Sequence, residues 1–255
     1  MAPENYARPD YDSIAHLYDV DMAQNMRFDD IGFYARQCTA HGGRVLELGC
    51  GNGRVLLELA SRGLDTLGID RSLKMLARLV RKAALHGLSI RVCSMDVRQL
   101  GFSEHFDVVL CPYSLVTYMT VEDDAKRMLD EIQHVLAPSG IVIVDAFVSR
   151  PLAPGRDFTR DYVRPFGTLS LVRSRRITAL SDRVNRIERR YEIVSDDGKV
   201  EERIDTCEDI RSYTPHELTT LLTACGLRTR EAWWNYLSTT EVADAQFFTA
   251  VAERA

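Results

Sequence analysis

Glu47 stands two positions before the first of three alternating glycines, Gly49, Gly51 and Gly53, in the stretch VLELGCGNGR. Glycines at this spacing, after an apolar run, clear a turn of Cβ atoms and let a ligand approach the backbone. Many such turns hold a pyrophosphate at a helix N-terminus. A carboxylate at the strand end repels a pyrophosphate and attracts an ammonium group. The dinucleotide fingerprint also asks for glycine at position 54, where this chain has Arg54. Two further acids follow. Asp70 closes the run LGID and Asp96 closes CSMD. A carboxylate can accept from both hydroxyls of a ribose, which is the chemistry open to Asp70. Asp96 and the backbone N–H of Val97 offer an acceptor and a donor to the edge of an adenine.

These residues need strands that end on one side of a sheet. RVLELG reads as the first strand, RVLLELASR as a helix and DTLGID as the second strand. SLKMLARLVRKAALHG is an amphipathic helix, with Leu73, Leu76, Leu79, Val80 and Ala83 near helical period and Ser72 or Asp70 at its cap. IRVCSMD and FDVVLCPYS are the third and fourth strands. DDAKRMLDEIQHVLA is a helix stopped at PSG, and IVIVDAF is the fifth strand. From Pro151 to Pro165 the chain is rich in Pro, Gly, Arg and aromatics and reads as a loop. SLVRSRRITALS, RVNRIERRYEIVS and KVEERIDTCEDIRSY then suggest three antiparallel strands, two of them joined at Asp196–Gly198. Thr214, Pro215 and Glu217 signal a capped helix, followed by the last strands LRTREAWW and AQFFTAVAE.

VLELGCGNGR, LGID, CSMD, FDVVLCPYSLVTYM and HVLAPSGIVIVD together resemble the successive signatures of class I S-adenosylmethionine-dependent methyltransferases, small-molecule branch. Sugar-amine and glycine N-methyltransferases belong to that branch. The resemblance runs from about Tyr11 to the final strand. It implies an α/β, Rossmann-like fold with an inserted antiparallel β-sheet lid and a strand order of 3-2-1-4-5-7-6, the seventh strand antiparallel. S-adenosyl-L-methionine, with an ammonium, a ribose and an adenine but no phosphate, is the implied cofactor. Its implied ligands are Glu47, Gly49, Cys50, Gly51, Gly53, Asp70, Arg71, Met75, Asp96, Val97 and Cys111, with Tyr11, Tyr18 and Arg27 from the N-terminal segment. Tyr34 reads as a methionine partner or a packing residue. The domain division expected is an N-terminal helical lid over 1–40, a cofactor core over 41–152, a substrate-side insertion over 153–213 and a returning core segment over 214–255.

The acceptor side falls to Tyr113, Ser114 and Tyr118, after the fourth strand, with Asp145 and Phe147 at the end of the fifth. Tyr113, Tyr118 and His16, the last in the opening helix YDSIAHLYD, are the candidate catalytic residues. Either Arg160 or Arg164 is a candidate substrate contact. Arg156, Arg173, Arg175 and Arg176 suit a solvated sheet face better. CPYS only partly echoes the NPPY or DPPY of adenine and glutamine N-methyltransferases, which disfavours nucleic-acid or protein-amide substrates. No histidine or cysteine cluster reads as a metal site.

Composition sets the outer bounds. The 255 residues carry 45% hydrophobic and 27% charged side chains, as in a globular protein. The formal net charge of -5 disfavours a general nucleic-acid binder. No run approaches the ~18 apolar residues of a membrane span, and MAPENYARPDYDS lacks a signal-peptide core. Six dispersed cysteines without CxxC fit a reducing, cytoplasmic setting. The expected partner is a small-molecule methyl acceptor, with a homodimer through exposed sheet edges left open. An NAD-dependent oxidoreductase and a non-enzymatic S-adenosylmethionine-binding regulator are the competing readings.

Overall fold

A computed structural model describes residues 6–148, 157–243 and 245–255. The chain divides into two compact units, Met1–Arg27 with Arg150–Ser212, and Phe28–Ser149 with Tyr213–Ala255. The expected N-terminal boundary at residue 40 therefore moves back to Arg27: the helix over Asp30–His41 belongs to the second unit. Its side chains explain why, since Asp30 pairs with Arg54 and Tyr34 bonds to Asp145, both in that unit.

The second unit contains α3 (Asp30–His41), β1 (Arg44–Leu48), α4 (Leu56–Ser61), β2 (Asp65–Asp70), α5 (Leu73–Leu85), β3 (Arg91–Ser94), β4 (Phe106–Cys111), α6 (Glu122–Val135), β5 (Leu136–Phe147), α7 (Pro215–Ala224), β10 (Leu227–Trp234) and β11 (Phe247–Arg254). Its sheet runs β10-β11-β5-β4-β1-β2-β3. Read from the opposite edge this is the expected order, with β11 antiparallel to both β5 and β10. The apolar centres of β4 and β5 are fully enclosed: Val108, Val109, Leu110, Val142, Ile143 and Val144 expose 0% of their surface. Strands covered by helices on both faces read as continuous apolar runs for this reason.

The helices obey their local signals with two adjustments. Ser72 accepts from Met75 N–H at 3.1 Å and caps α5. Met75, Leu76, Leu79 and Ala83 form its buried stripe, whereas Leu73 and Val80, expected there, are 65% and 49% exposed. The stripe is thus narrower than the apolar residues available. α6 ends at Val135, and β5 begins at Leu136 rather than after the PSG stop. α7 has the expected capping box: Thr214 Oγ1 accepts from Glu217 N–H at 3.1 Å and Glu217 Oε2 from Thr214 N–H at 2.9 Å.

The first unit holds α1 (Tyr11–Ile14), α2 (Tyr18–Met22), β6 (Thr159–Phe166), β7 (Leu169–Ala179), β8 (Val184–Val194) and β9 (Val200–Arg211). Its sheet has four strands, β6-β7-β8-β9, where sequence predicts three. The additional strand β6 occupies part of the stretch read as a loop. Pro165 hid it, but β6 is an edge strand, where a missing N–H costs no ladder bond. Positions 151–156 of that stretch lie outside the described residues. YDSIAHLYD forms two short helices instead of one, α1 ending at Ile14 and α2 opening at Tyr18.

A buried acid ties this N-terminal segment to the four-stranded sheet. The Asp21 carboxylate, in a residue 5% exposed, accepts from Tyr162 OH at 2.5 Å, Tyr191 OH at 3.2 Å and Arg173 Nη1 at 2.5 Å. Arg164 donates to the Val20 carbonyl at 2.7 Å and to Asn25 Oδ1 at 3.0 Å, and its guanidinium lies 3.8 Å from the Tyr162 ring centre. Removing one partner of a buried pair leaves the other charge uncompensated, at roughly 3–5 kcal/mol. Asp21→Ala is therefore expected to destabilise the first unit by about that amount, with Asp21→Asn milder. Hydrogen exchange should accelerate over 11–22 and along β7 and β8. Unchanged protection there would show that apolar packing alone holds the segment.

Candidate active site

The glycine turn leaves β1 at the centre of the sheet, between β4 and β2. Gly51, at φ +53°, donates its N–H to Asp70 Oδ2 at 2.8 Å. Asp70 Oδ1 accepts from Ser72 N–H at 2.7 Å. The acid at the end of β2 is thereby fixed against both the turn and the start of α5. Gly53, at φ +90°, has a different reason to be glycine: a Cβ there would lie 2.1 Å from Leu79 Cδ1. The backbone angle, together with packing of the turn against α5, favours this glycine with or without a ligand.

Glu47 is 2% exposed, and its Oε2 has no hydrogen-bond partner. Burial pushes its carboxyl up to about 8, opposed by Arg54 and reinforced by Asp70 and Asp30. Arg54 does not neutralise it fully because its guanidinium forms a bidentate pair with buried Asp30, at 2.9 and 2.6 Å. The same guanidinium lies 5.3 Å from the Tyr113 ring centre. A buried, unpartnered acceptor is costly unless something else meets it. An ammonium group answers that need, and a pyrophosphate would aggravate it.

Asp145 organises the other half of the site. It exposes 0% of its surface, and its carboxylate receives four donors. Tyr34 OH donates at 2.6 Å, Tyr113 N–H at 3.2 Å, Ser114 N–H at 3.0 Å, and Tyr236 OH completes the set. Burial raises the Asp145 carboxyl above its ordinary value, while the two tyrosines and Ser114 pull it back. Tyr113 and Ser114 sit at φ +54° and +60°, and Asn235 and Tyr236 at +51° and +63°. Four non-glycine residues in the left-handed region thus flank one carboxylate. The result is an aromatic face at the ends of β4 and β5: Tyr113 meets Phe147 edge-on at 5.8 Å, and Phe147 lies 4.8 Å from Phe247. Phe147 is 38% exposed.

Other expected residues fall into place differently. Met75 is buried under the turn, its Cε 3.4 Å from where a Cβ on Gly51 would stand. Cys50 and Cys111 are buried thiols, both raised by desolvation; Cys50 contributes backbone bonds, accepting from Gly53 N–H at 2.9 Å. Cys93, by contrast, is exposed. Arg71 is exposed, and Val97 packs partly buried against the main core. Tyr118 ends a 3₁₀ turn over Leu115–Tyr118 and packs against that core too. Asp96 holds Arg98 with both oxygens.

Tyr11, Tyr18, His16 and Arg27 belong to the first unit. Tyr11 and Tyr18 meet edge-to-face at 5.8 Å within its apolar cluster. His16 lies 3.4 Å from Glu202, and Arg27 is exposed. Arg164, one candidate substrate contact, is an internal anchor, while Arg173 and Arg176 pair with acids of their own unit. Arg156 lies outside the described residues. Among the described residues no group of three or more His, Cys, Asp or Glu is placed to hold a metal, and no helix is long and apolar enough to cross a membrane.

Sequence reasoning missed Asp30, Arg98 and Tyr236. Arg98 carried a signal, a guanidinium two positions past a strand-end acid. The contacts of Asp30 and Tyr236 span 24 and 91 positions, beyond any local pattern.

The comparisons with known proteins agree with this fold. A family described as methyltransferase domain matches residues 45–140. A solved S-adenosylmethionine-dependent methyltransferase from Clostridium acetobutylicum superposes with a TM-score of 0.80 at 19% identity, covering 96% of this chain and 99% of that one. The chain carries a methyltransferase domain over residues 45–140, on the fold of class I S-adenosylmethionine-dependent methyltransferases. The putative methyltransferase YqeM of Bacillus subtilis is 24% identical to it, over 94% of this chain and 96% of that protein. The glycine/sarcosine N-methyltransferase of Aphanothece halophytica is 31% identical over 116 residues, 44% of either chain. The methyltransferase thus spans less than half the length of that second relative.

Ser114 is the sharpest test of the strained turn. Its left-handed φ costs roughly 1–2 kcal/mol, and its buried Oγ has no partner. Ser114→Gly removes both costs and adds unfolded-state entropy of about 0.5–1 kcal/mol. The expected balance is a gain near 1 kcal/mol in urea denaturation. Asp145→Asn should instead lose about 2 kcal/mol, because its amide cannot accept from every donor. A destabilised Ser114→Gly would mean the turn is not strained.

Proposed function

We propose that the methyltransferase acts on a small metabolite or natural-product intermediate, an amine in the first instance, by direct methyl displacement. The observation that carries the cofactor site is Glu47 Oε2, a buried acceptor with no partner beside the glycine turn. The residues fit S-adenosyl-L-methionine: Glu47 for the ammonium, the Gly49–Gly53 turn for the methionine portion, Asp70 for the ribose, and Asp96 with the Val97 N–H for the adenine. When bound, the sulfonium supplies an activated methyl group, so the protein's task is to position and to exclude water.

The chain's own residues divide that task. Asp70 and the Gly51 N–H brace each other and pre-set the cofactor turn. Asp145 directs Tyr113 toward Phe147, giving an aromatic wall at the strand ends. With its carboxylate committed to four donors, Asp145 is no general base. An acceptor at this wall must bring its own nucleophile, as a neutral amine does with its free lone pair. The glycine/sarcosine relative, an N-methyltransferase by name, supports that choice.

Calorimetric titration comes first, with S-adenosylmethionine, S-adenosylhomocysteine and NAD. The two adenosyl compounds are expected to bind and NAD not. A methyl-transfer mass-shift screen of small amines against matched alcohols then tests the acceptor. Transfer only to alcohols, or only to protein, would overturn the amine reading.

Glu47 adds a pH signature. Its carboxyl sits at about 8 in the folded chain against 4.5 unfolded. The folded state therefore holds the extra proton between those values, and Glu47 subtracts stability as pH rises through that window. Glu47→Gln is expected to flatten the fall in thermal midpoint from pH 5 to 8.5 and to weaken S-adenosylmethionine at least tenfold, consistent with losing one charge-assisted contact. Parallel pH profiles for the two proteins would place the titration elsewhere.

A further inference from the structure

We infer that Arg98 is a positioning residue for the adenine end of the cofactor, acting through Asp96; this rests on the adenine role proposed for Asp96. One residue supplies three donors to that carboxylate. The Arg98 backbone N–H reaches Asp96 Oδ1 at 2.9 Å, its Nε the same oxygen at 3.0 Å, and its Nη2 reaches Oδ2 at 2.7 Å. The side chain of Asp96 is 40% exposed, and that of Arg98 only 20%. An acid so exposed at a strand end ordinarily samples several rotamers. Here the fork geometry of the guanidinium fixes the plane of the carboxylate.

The fork is itself anchored. Arg98 Nη1 donates to Asp124 Oδ2 at 2.7 Å, in the first turn of α6. Two residues on, Leu100 N–H donates to Glu131 Oε2 at 2.7 Å. Asp124 and Glu131 are seven positions apart on one helix and so share a face. Gln99 N–H closes the turn on the Asp96 carbonyl at 3.0 Å. The segment from Asp96 to Leu100 is thus docked along α6 at two points, and the carboxylate plane is set by the helix through Arg98. A lysine cannot reproduce this, since an ammonium offers no planar fork.

An acceptor fixed in direction discriminates between bases by what they present to it. An adenine amino group donates to a carboxylate, and the carbonyl of hypoxanthine repels it. The discrimination ratio therefore reads the geometry of Asp96, which overall fold stability does not move. The experiment is calorimetric titration of the full chain with S-adenosylhomocysteine and with S-inosylhomocysteine, for the wild type, Arg98→Gln, Arg98→Lys, Asp124→Asn and Asp96→Asn. Thermal melts of each check folding. The wild type is expected to favour the adenosyl ligand at least tenfold. Arg98→Gln and Arg98→Lys should weaken that ligand about five- to tenfold and leave the inosyl ligand within twofold. Asp124→Asn should shift the ratio in the same direction by less. A wild-type ratio in Arg98→Gln, or equal loss of both ligands, overturns the inference. An unchanged ratio in Asp96→Asn overturns the adenine role of Asp96 and the inference with it, and a wild type that binds neither ligand overturns the cofactor site itself.

Discussion

The aromatic half of the candidate site depends on one carboxylate being buried with enough donors to stay there. Asp145 sits in the middle of the apolar run IVIVDAF, where an ion alone would be expelled or protonated. It is held by hydroxyls from Tyr34 and Tyr236 and by two consecutive backbone N–H groups. Those N–H groups converge only because Tyr113 and Ser114 take left-handed backbone angles. The dependence runs both ways. The carboxylate offsets the strain of the turn, and the turn supplies donors that make the carboxylate tolerable. Such a reciprocal arrangement fixes Tyr113 more firmly than packing would, because relaxing either partner leaves the other unsatisfied.

The same logic explains why α3 belongs with the α/β unit. Helices pack on sheets through apolar stripes, yet α3 also contributes Asp30 and Tyr34, both fully or nearly fully buried. Asp30 occupies Arg54, and Tyr34 occupies Asp145. Each end of the candidate site thus has a buried polar contact to the same helix. Phe33 fills the space between with edge-on contacts to Tyr34 and Trp233. A helix carrying these contacts cannot be separated from the sheet without exposing two acids and an arginine.

Much of this was legible in sequence, for physical reasons that also mark the limit. The ends of β1 at Leu48 and β2 at Asp70 follow from apolar runs broken by glycine and aspartate, signals confined to a few positions, whereas the order of strands in the sheet came from the family resemblance. The α7 cap was readable because Thr214, Pro215 and Glu217 act locally. β6 was not, because an edge strand tolerates the proline and alternating arginines that sequence reading assigns to a loop. Leu73 and Val80 show the opposite error: helical period identifies a stripe but not how wide a stripe the sheet will cover. Among site residues, those in the glycine turn were readable, since their spacing is their chemistry. Tyr236 was not, since its hydroxyl matters only through a carboxylate 91 positions away.

The electrostatics around the glycine turn follow from where Arg54 is committed. Asp30, Asp70 and Arg54 all act on buried Glu47, the two acids raising its carboxyl and the guanidinium lowering it. Bidentate geometry holds the guanidinium on Asp30, and desolvation of Glu47 outweighs the pull of Arg54 on its carboxyl. The fold thereby keeps at the end of β1 a carboxyl that holds its proton near neutrality and would ionise when a cation meets it. An anionic dinucleotide would meet Asp30, Glu47 and Asp70 there, whereas a zwitterionic methionine tail would bring its ammonium to Glu47, whose Oε2 has no partner. We propose that selection of the cofactor by charge rests less on the glycines than on this buried carboxyl, whose Oε2 has no partner.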